Sequence, residues 1–171
     1  MRGDMPKSVK SPGSRQELEY KLDESVGFML TMTERRLKPL LKKCLALEGG
    51  GVTYGMWFFL RVLWEEDGLT QRELSERVGM MQPTAVTALR DMERHGFVKI
   101  KPDPNDGRST RIFLTRDGRD VGDRMLPMVK GINDFALKGI STEEFGMLRN
   151  ILRKMRANID SGQFIPPRRR R

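Results

Sequence analysis

Cysteine and histidine are nearly absent from this chain, with one of each among 171 residues. A single cysteine, Cys44, closes no internal disulfide, which fits a reducing compartment such as the cytoplasm. No Cys/His cluster at metal-ligand spacing exists, so no zinc site and no cofactor are expected. The constellation of nucleophile, base and acid that catalysis needs is missing too, and the chain does not read as an enzyme. His95 stands before Gly96 at the end of an expected helix, where a cation is favourable against the helix dipole. Long apolar runs are also lacking. The most apolar stretch, Tyr54 to Trp64, carries Arg61 and falls well short of the ~20 residues a spanning helix needs. Basic residues near the N-terminus precede no apolar segment, so no secretory signal and no membrane partner are expected. Gly49, Gly50 and Gly51 follow no strand, and read as a linker rather than a phosphate loop.

Charge is what the chain has in excess, at a net +9. It sits mostly in the ends. Arg2, Lys7, Lys10 and Arg15 stand against Asp4 at the start, and Arg168 to Arg171 close the chain without an acid nearby. Charge runs of this kind are commonly solvated tails, so nucleic-acid binding has to be argued from pattern. Residues 1–15, rich in Gly, Pro, Ser and Lys, are expected to be a disordered tail, and 161–171 a basic one.

Between the tails the apolar spacing is helical. Leu18, Leu22, Val26, Met29, Leu37, Leu40 and Leu41 predict a helix over about 16–47, bent or interrupted at Pro39. A second helix, apolar nearly all round, is expected over about 53–66. Thr70-Gln71-Arg72-Glu73 is a capping box opening a short helix that ends at Gly79. Pro83 suits the first turn of the next helix, which ends before Gly96 and turns Ala85, Ala88, Leu89 and Met92 inward. Residues 97–101 and 110–114 read as strands of a hairpin, and Pro102 to Ser109 as its turn. Thr115 caps a long helix to about Gly139, with Pro127 a kink. Ser141-Thr142-Glu143-Glu144 is a second capping box. Phe145, Leu148, Leu152, Met155 and Ile159 then make a narrow seam of the kind that packs on a partner helix.

The order helix, Gly turn, helix and hairpin over about 53–115 is that of a winged helix-turn-helix, whose second helix enters the major groove. Its outward face shows Gln82, Thr84, Val86, Thr87 and Arg90. Gln suits adenine, Arg suits guanine or phosphate, and Val86 suits a thymine methyl. At the hairpin tip, Arg108 ends a loop held by Pro104 and Asn105, where an arginine can enter a narrow minor groove. Asp106 is close enough in sequence to orient that guanidinium by a bidentate pair.

Leu69-Thr-Gln-Arg-Glu-Leu-Ser-Glu-Arg-Val-Gly79, His95-Gly96-Phe97-Val98 and Asp103-Pro-Asn-Asp-Gly-Arg108, ending in Leu114-Thr115-Arg-Asp-Gly118, resemble the MarR family of winged helix-turn-helix regulators. The resemblance covers about residues 16–160. It implies a mainly α fold with a small β-hairpin wing, a DNA-binding lobe, and a dimerisation lobe from helices over about 16–47 and 116–160. It further implies a homodimeric repressor in the cytoplasm, bound to double-stranded DNA at a pseudo-palindromic operator and released by a small-molecule effector. The DNA-contacting set implied is Gln82, Pro83, Thr84, Val86, Thr87, Arg90, Asp106 and Arg108. Phe28, Met32, Arg36, Tyr54 and Trp57 are expected at the effector site, with an aromatic carboxylate or its thioester as the ligand class. Two positions depart from the family's habit. Met81 or Gln82 opens the recognition helix where Ser or Asp is common, and Thr87 stands where Arg is common. Two alternatives remain: a redox sensor through Cys44, with Lys42 and Lys43 beside it to lower the thiol pKa, and a constitutive architectural DNA-binding protein.

Overall fold

The computed structural model describes residues 21–162 and 164. The expected tails therefore lie outside the described residues, apart from 161, 162 and 164. The described chain is mainly helical: α1 (Val26–Glu48), α2 (Tyr54–Leu63), α3 (Gln71–Val78), α4 (Gln82–Arg94), the hairpin β1 (Val98–Pro102) and β2 (Thr110–Leu114), α5 (Arg116–Ala136) and α6 (Thr142–Asp160). It divides into two compact units, one up to Lys38 and the other from Pro39 onward.

In the first unit a single 3-10 turn, Leu22–Glu24, precedes α1. The helix expected from Gln16 thus begins at Val26 instead. The Ser25 hydroxyl accepts the Phe28 N–H at 3.4 Å, a cap that starts a helix at that point. Of the bend or interruption expected at Pro39, the interruption is not found, since α1 continues through it. Proline removes one donor and crowds one carbonyl, and the helical bonds on either side carry the segment across. Pro127 lies inside α5 in the same way.

In the second unit four of the five helix starts carry a hydroxyl cap. Thr53, Thr70, Thr115 and Ser141 accept N–H bonds from Met56, Glu73, Gly118 and Glu144 respectively. The α2 helix supplies Phe59, Leu60 and Leu63 to the core. They meet Leu74 of α3, Leu89 and Met92 of α4, Val98 and Ile112 of the hairpin, and Val121 and Met125 of α5. Hairpin register pairs Val98 with Leu114 and Ile100 with Ile112 on the inward side, leaving Lys99, Lys101, Arg111 and Phe113 on the other. A one-residue slip would exchange those faces, so the core fixes the register. Residues 68–70 extend the hairpin's edge: the Gly68 N–H donates to Ile112 O at 3.0 Å, and the Ile112 N–H donates to Leu69 O at 2.9 Å.

Two glycines let α5 dock. A Cβ on Gly118 would lie 2.1 Å from the Phe97 carbonyl oxygen, and one on Gly122 would lie 2.9 Å from the Trp64 indole. That indole donates its Nε1–H to Gly118 O at 2.8 Å. Close approach of two backbones is what puts glycine at position 118. Gly118→Ala is therefore expected to lower unfolding stability by roughly 1–3 kcal/mol, the usual range for overpacking a close contact. Urea denaturation checks this, and an unchanged midpoint would contradict the packing described.

Candidate nucleic-acid interface

The turn between α3 and α4 is made by Gly79, which ends α3 in the left-handed region at φ 71°. Only glycine adopts that conformation without steric cost. Ahead of it, α3 is fixed by a reciprocal cap. The Glu73 carboxylate accepts the Thr70 N–H at 2.8 Å, and the Thr70 hydroxyl accepts the Glu73 N–H at 3.2 Å. Beyond the turn, α4 starts at Gln82, one residue before Pro83, with Met81 as an N-cap that makes no side-chain bond.

Ala85, Leu89 and Met92 are buried under α4, while Gln82, Pro83, Thr84, Thr87 and Arg90 are exposed on its other side and Val86 is half buried. The Gln82 side-chain carbonyl accepts from the Gln71 amide at 3.4 Å, and the Thr87 hydroxyl donates to Pro83 O at 3.2 Å. Arg90 is exposed and has no ion-pair partner among the described residues. Between the start of α2 and α4 lies an open groove of about 470 Å³, bordered by Thr53, Met56, Thr84, Thr87 and Asp91.

The wing loop is built from backbone bonds to two aspartates. Asp103 Oδ1 accepts the Asn105 N–H at 2.8 Å, and Asp106 Oδ1 accepts the Arg108 N–H at 3.0 Å. Here the expectation of an Asp106 pair with the Arg108 guanidinium is corrected. A short side chain two residues back closes an Asx-type turn onto the main chain, which leaves the guanidinium exposed and without an ion pair among the described residues. The buried carboxylate is Asp103, and sequence reading passed over it. Its side chain is 5% exposed and pairs with Arg111 Nε at 2.7 Å, while Arg111 Nη1 donates to Gly68 O at 2.9 Å. Asp67 completes the join. Its Oδ1 accepts the Leu114 N–H at 2.8 Å, and its Oδ2 accepts Arg119 Nη2 at 2.6 Å. The signal available was weak: Asp67-Gly68 reads as a turn, and only the hairpin register brings Arg111 over Asp103.

Of the expected effector residues, Phe28, Met32 and Arg36 belong to the first unit and Tyr54 and Trp57 to the second. Phe28 is exposed, and Arg36 Nη1 donates to the Met32 carbonyl at 2.9 Å. Tyr54 meets Phe58 edge-on at 5.2 Å, and buried Trp57 meets Trp64 edge-on at 5.4 Å. Cys44 is buried. His95 Nδ1 lies 2.7 Å from Asp91 O, and the ring stacks on Phe97. Among the described residues no group of three His, Cys, Asp or Glu side chains is placed to hold a metal ion. None of their helices is long and apolar enough to cross a membrane.

These elements define a winged helix-turn-helix protein. The MarR family model matches residues 52–110. The transcriptional regulator TtmR of Methylorubrum extorquens is 30% identical over 152 residues, 88% of this chain and 74% of that one. A MarR-family regulator from Silicibacter pomeroyi superposes with a TM-score of 0.72 at 28% identity, covering 85% of this chain and 97% of its own. PcaV of Streptomyces coelicolor, solved with its natural ligand, gives a TM-score of 0.71 at 24% identity, with 81% and 96% coverage. The chain belongs to the MarR family. It is a DNA-binding transcriptional regulator and not an enzyme.

Hydrogen bonding from the Thr70 backbone N–H, reinforced by its hydroxyl, holds the Glu73 carboxyl below the ordinary glutamate range. A carboxylate whose pKa is depressed by folding adds stability above its unfolded pKa, and that stability is lost as pH falls through the folded value. Glu73→Gln keeps a capping oxygen but not the titration. Its stability is expected to fall less than wild type between neutral and acid pH. Equal acid losses in both proteins, measured by urea midpoints, would remove Glu73 from the account.

Proposed function

We propose that the protein is a homodimeric repressor that binds a pseudo-palindromic operator and leaves it when a small-molecule effector binds. The observation carrying the DNA contact is the exposed face of α4 with Arg90, on the same unit as a wing that projects an exposed Arg108. In this reading Gln82, Pro83, Thr84, Val86, Thr87 and Arg90 meet the major groove, and Arg108 enters the minor groove beside it. Asp106 shapes the loop through the Arg108 backbone. The dimer is supported by α6, which buries no residue in the single chain. Met147, Leu148, Ile151 and Ile159 are exposed at 58%, 42%, 54% and 73%, an apolar face that a second copy would cover.

An effector is supported by PcaV, a protein of this fold that holds a natural ligand. Tyr54 and Trp57 of the second unit are side chains proposed to meet it, with an aromatic carboxylate or its thioester as the ligand class. Release follows if the ligand prefers a state whose two recognition helices do not match successive major grooves, about 34 Å apart. Residues 16–160 form the functional domain, and the Arg168 to Arg171 tail adds sequence-independent attraction to phosphate. A redox switch at Cys44 finds no support in its burial, because sulfur chemistry needs an accessible thiolate.

Selection from a random duplex pool is expected to return an inverted repeat with A·T-rich outer flanks. On that duplex Arg108→Ala should weaken binding by roughly 1–3 kcal/mol and relax the flank preference. Gel shifts with flank-substituted duplexes check this. A pool without a preferred sequence would contradict the operator reading, and identical flank ranking by both proteins would reduce Arg108 to a phosphate contact.

A further inference from the structure

Four helix starts in the second unit carry a hydroxyl that caps a backbone N–H, whereas α4 starts with Met81 and no side-chain cap. Met81 is 78% exposed. Its side chain thus serves neither the helix end nor the core. An apolar cap forgoes the hydrogen bond that Ser, Thr, Asn or Asp would supply there, and a long apolar side chain is left in water. Folding of this unit gives no return for either cost. Binding does, if the groove that α4 enters offers something apolar at its front.

The major groove edge of DNA offers one such group, the 5-methyl of thymine. In a helix-turn-helix the first residues of the second helix are those that reach base edges. Gln82, Pro83 and Thr84, which follow Met81, are all exposed, while Val86, the other apolar candidate on this face, is half buried. An unbranched, polarizable thioether adapts its shape to a small methyl target.

We propose that Met81 is a specificity-determining residue that packs on the 5-methyl group of a thymine at the front of α4. The proposal rests on the reading of α4 as the helix that enters the major groove.

The test uses the full chain and the duplex it selects from a random pool. Each thymidine of that duplex is replaced singly by deoxyuridine, which removes the methyl and leaves every hydrogen-bonding group in place. Wild type is expected to lose roughly four-fold in affinity at one thymine of each half-site, about the value of one buried methyl. Met81→Ala should lose a similar factor on the unmodified duplex and show no further loss on the deoxyuridine one. Met81→Ser restores a capping hydroxyl, so its unfolding midpoint should rise while its response to deoxyuridine vanishes. A capping defect alone would not move stability and recognition in opposite directions. A deoxyuridine profile that is the same for wild type and Met81→Ala overturns the proposal alone. So does a profile erased only by Val86→Ala. A pool with no preferred duplex overturns the groove reading and this proposal together.

Discussion

The buried pair between Asp103 and Arg111, at 2.7 Å, is the interaction on which the join of the wing to the segment before α3 depends. A carboxylate so enclosed is tolerable only when its oxygens are fully engaged. One oxygen takes the guanidinium, and the other takes the Asn105 N–H at 2.8 Å. The same guanidinium reaches the Gly68 carbonyl at 2.9 Å, and so ties the base of the wing to the segment that leads into α3. Removing either partner would leave a charge in a place built for two. The base of the wing and the segment leading into α3 therefore share one support, reinforced by the bond from the Leu114 N–H to Asp67 at 2.8 Å.

Rigidity at the base contrasts with freedom at the contact surface. Arg108 is exposed, and only its backbone is held, through Asp106. Arg90 is exposed on α4, and Met81 projects from its start. Arg90 and Arg108 have no ion-pair partner among the described residues, while the main chain of the wing loop is held by the carboxylates of Asp103 and Asp106. This division limits the ordering cost on binding to side-chain rotamers, which is far smaller than ordering a loop as well.

Local chemistry was legible in the sequence. The capping boxes at Thr70 and Ser141, the Gly79 turn and the hairpin around residues 103–108 each depend on neighbours within a few positions, and each stands where expected. Long-range chemistry was not. Nothing near Gly118 in sequence announces the Phe97 carbonyl 2.1 Å from its would-be Cβ. Asp103 and Arg111 are joined only through the strand register. At Pro39 the local cost of proline is readable, but that α1 continues past it is set by the helix as a whole. At the interface, the exposed positions of α4 followed from its period. The engagement of Asp106 by main chain rather than guanidinium did not, because a two-residue separation permits both.

The support that Asp103 gives to the wing is tested most directly by Asp103→Asn, compared with wild type on a selected duplex and on a random one. The substitution removes the charge and keeps the shape, and circular dichroism is the control that the lobe remains folded. Loosening the wing should cost about ten-fold or more on the selected duplex, where the wing must be ordered in place. Affinity for random duplex, governed by phosphate attraction alone, should stay level. Equal losses on both duplexes, or none on either, would contradict the account.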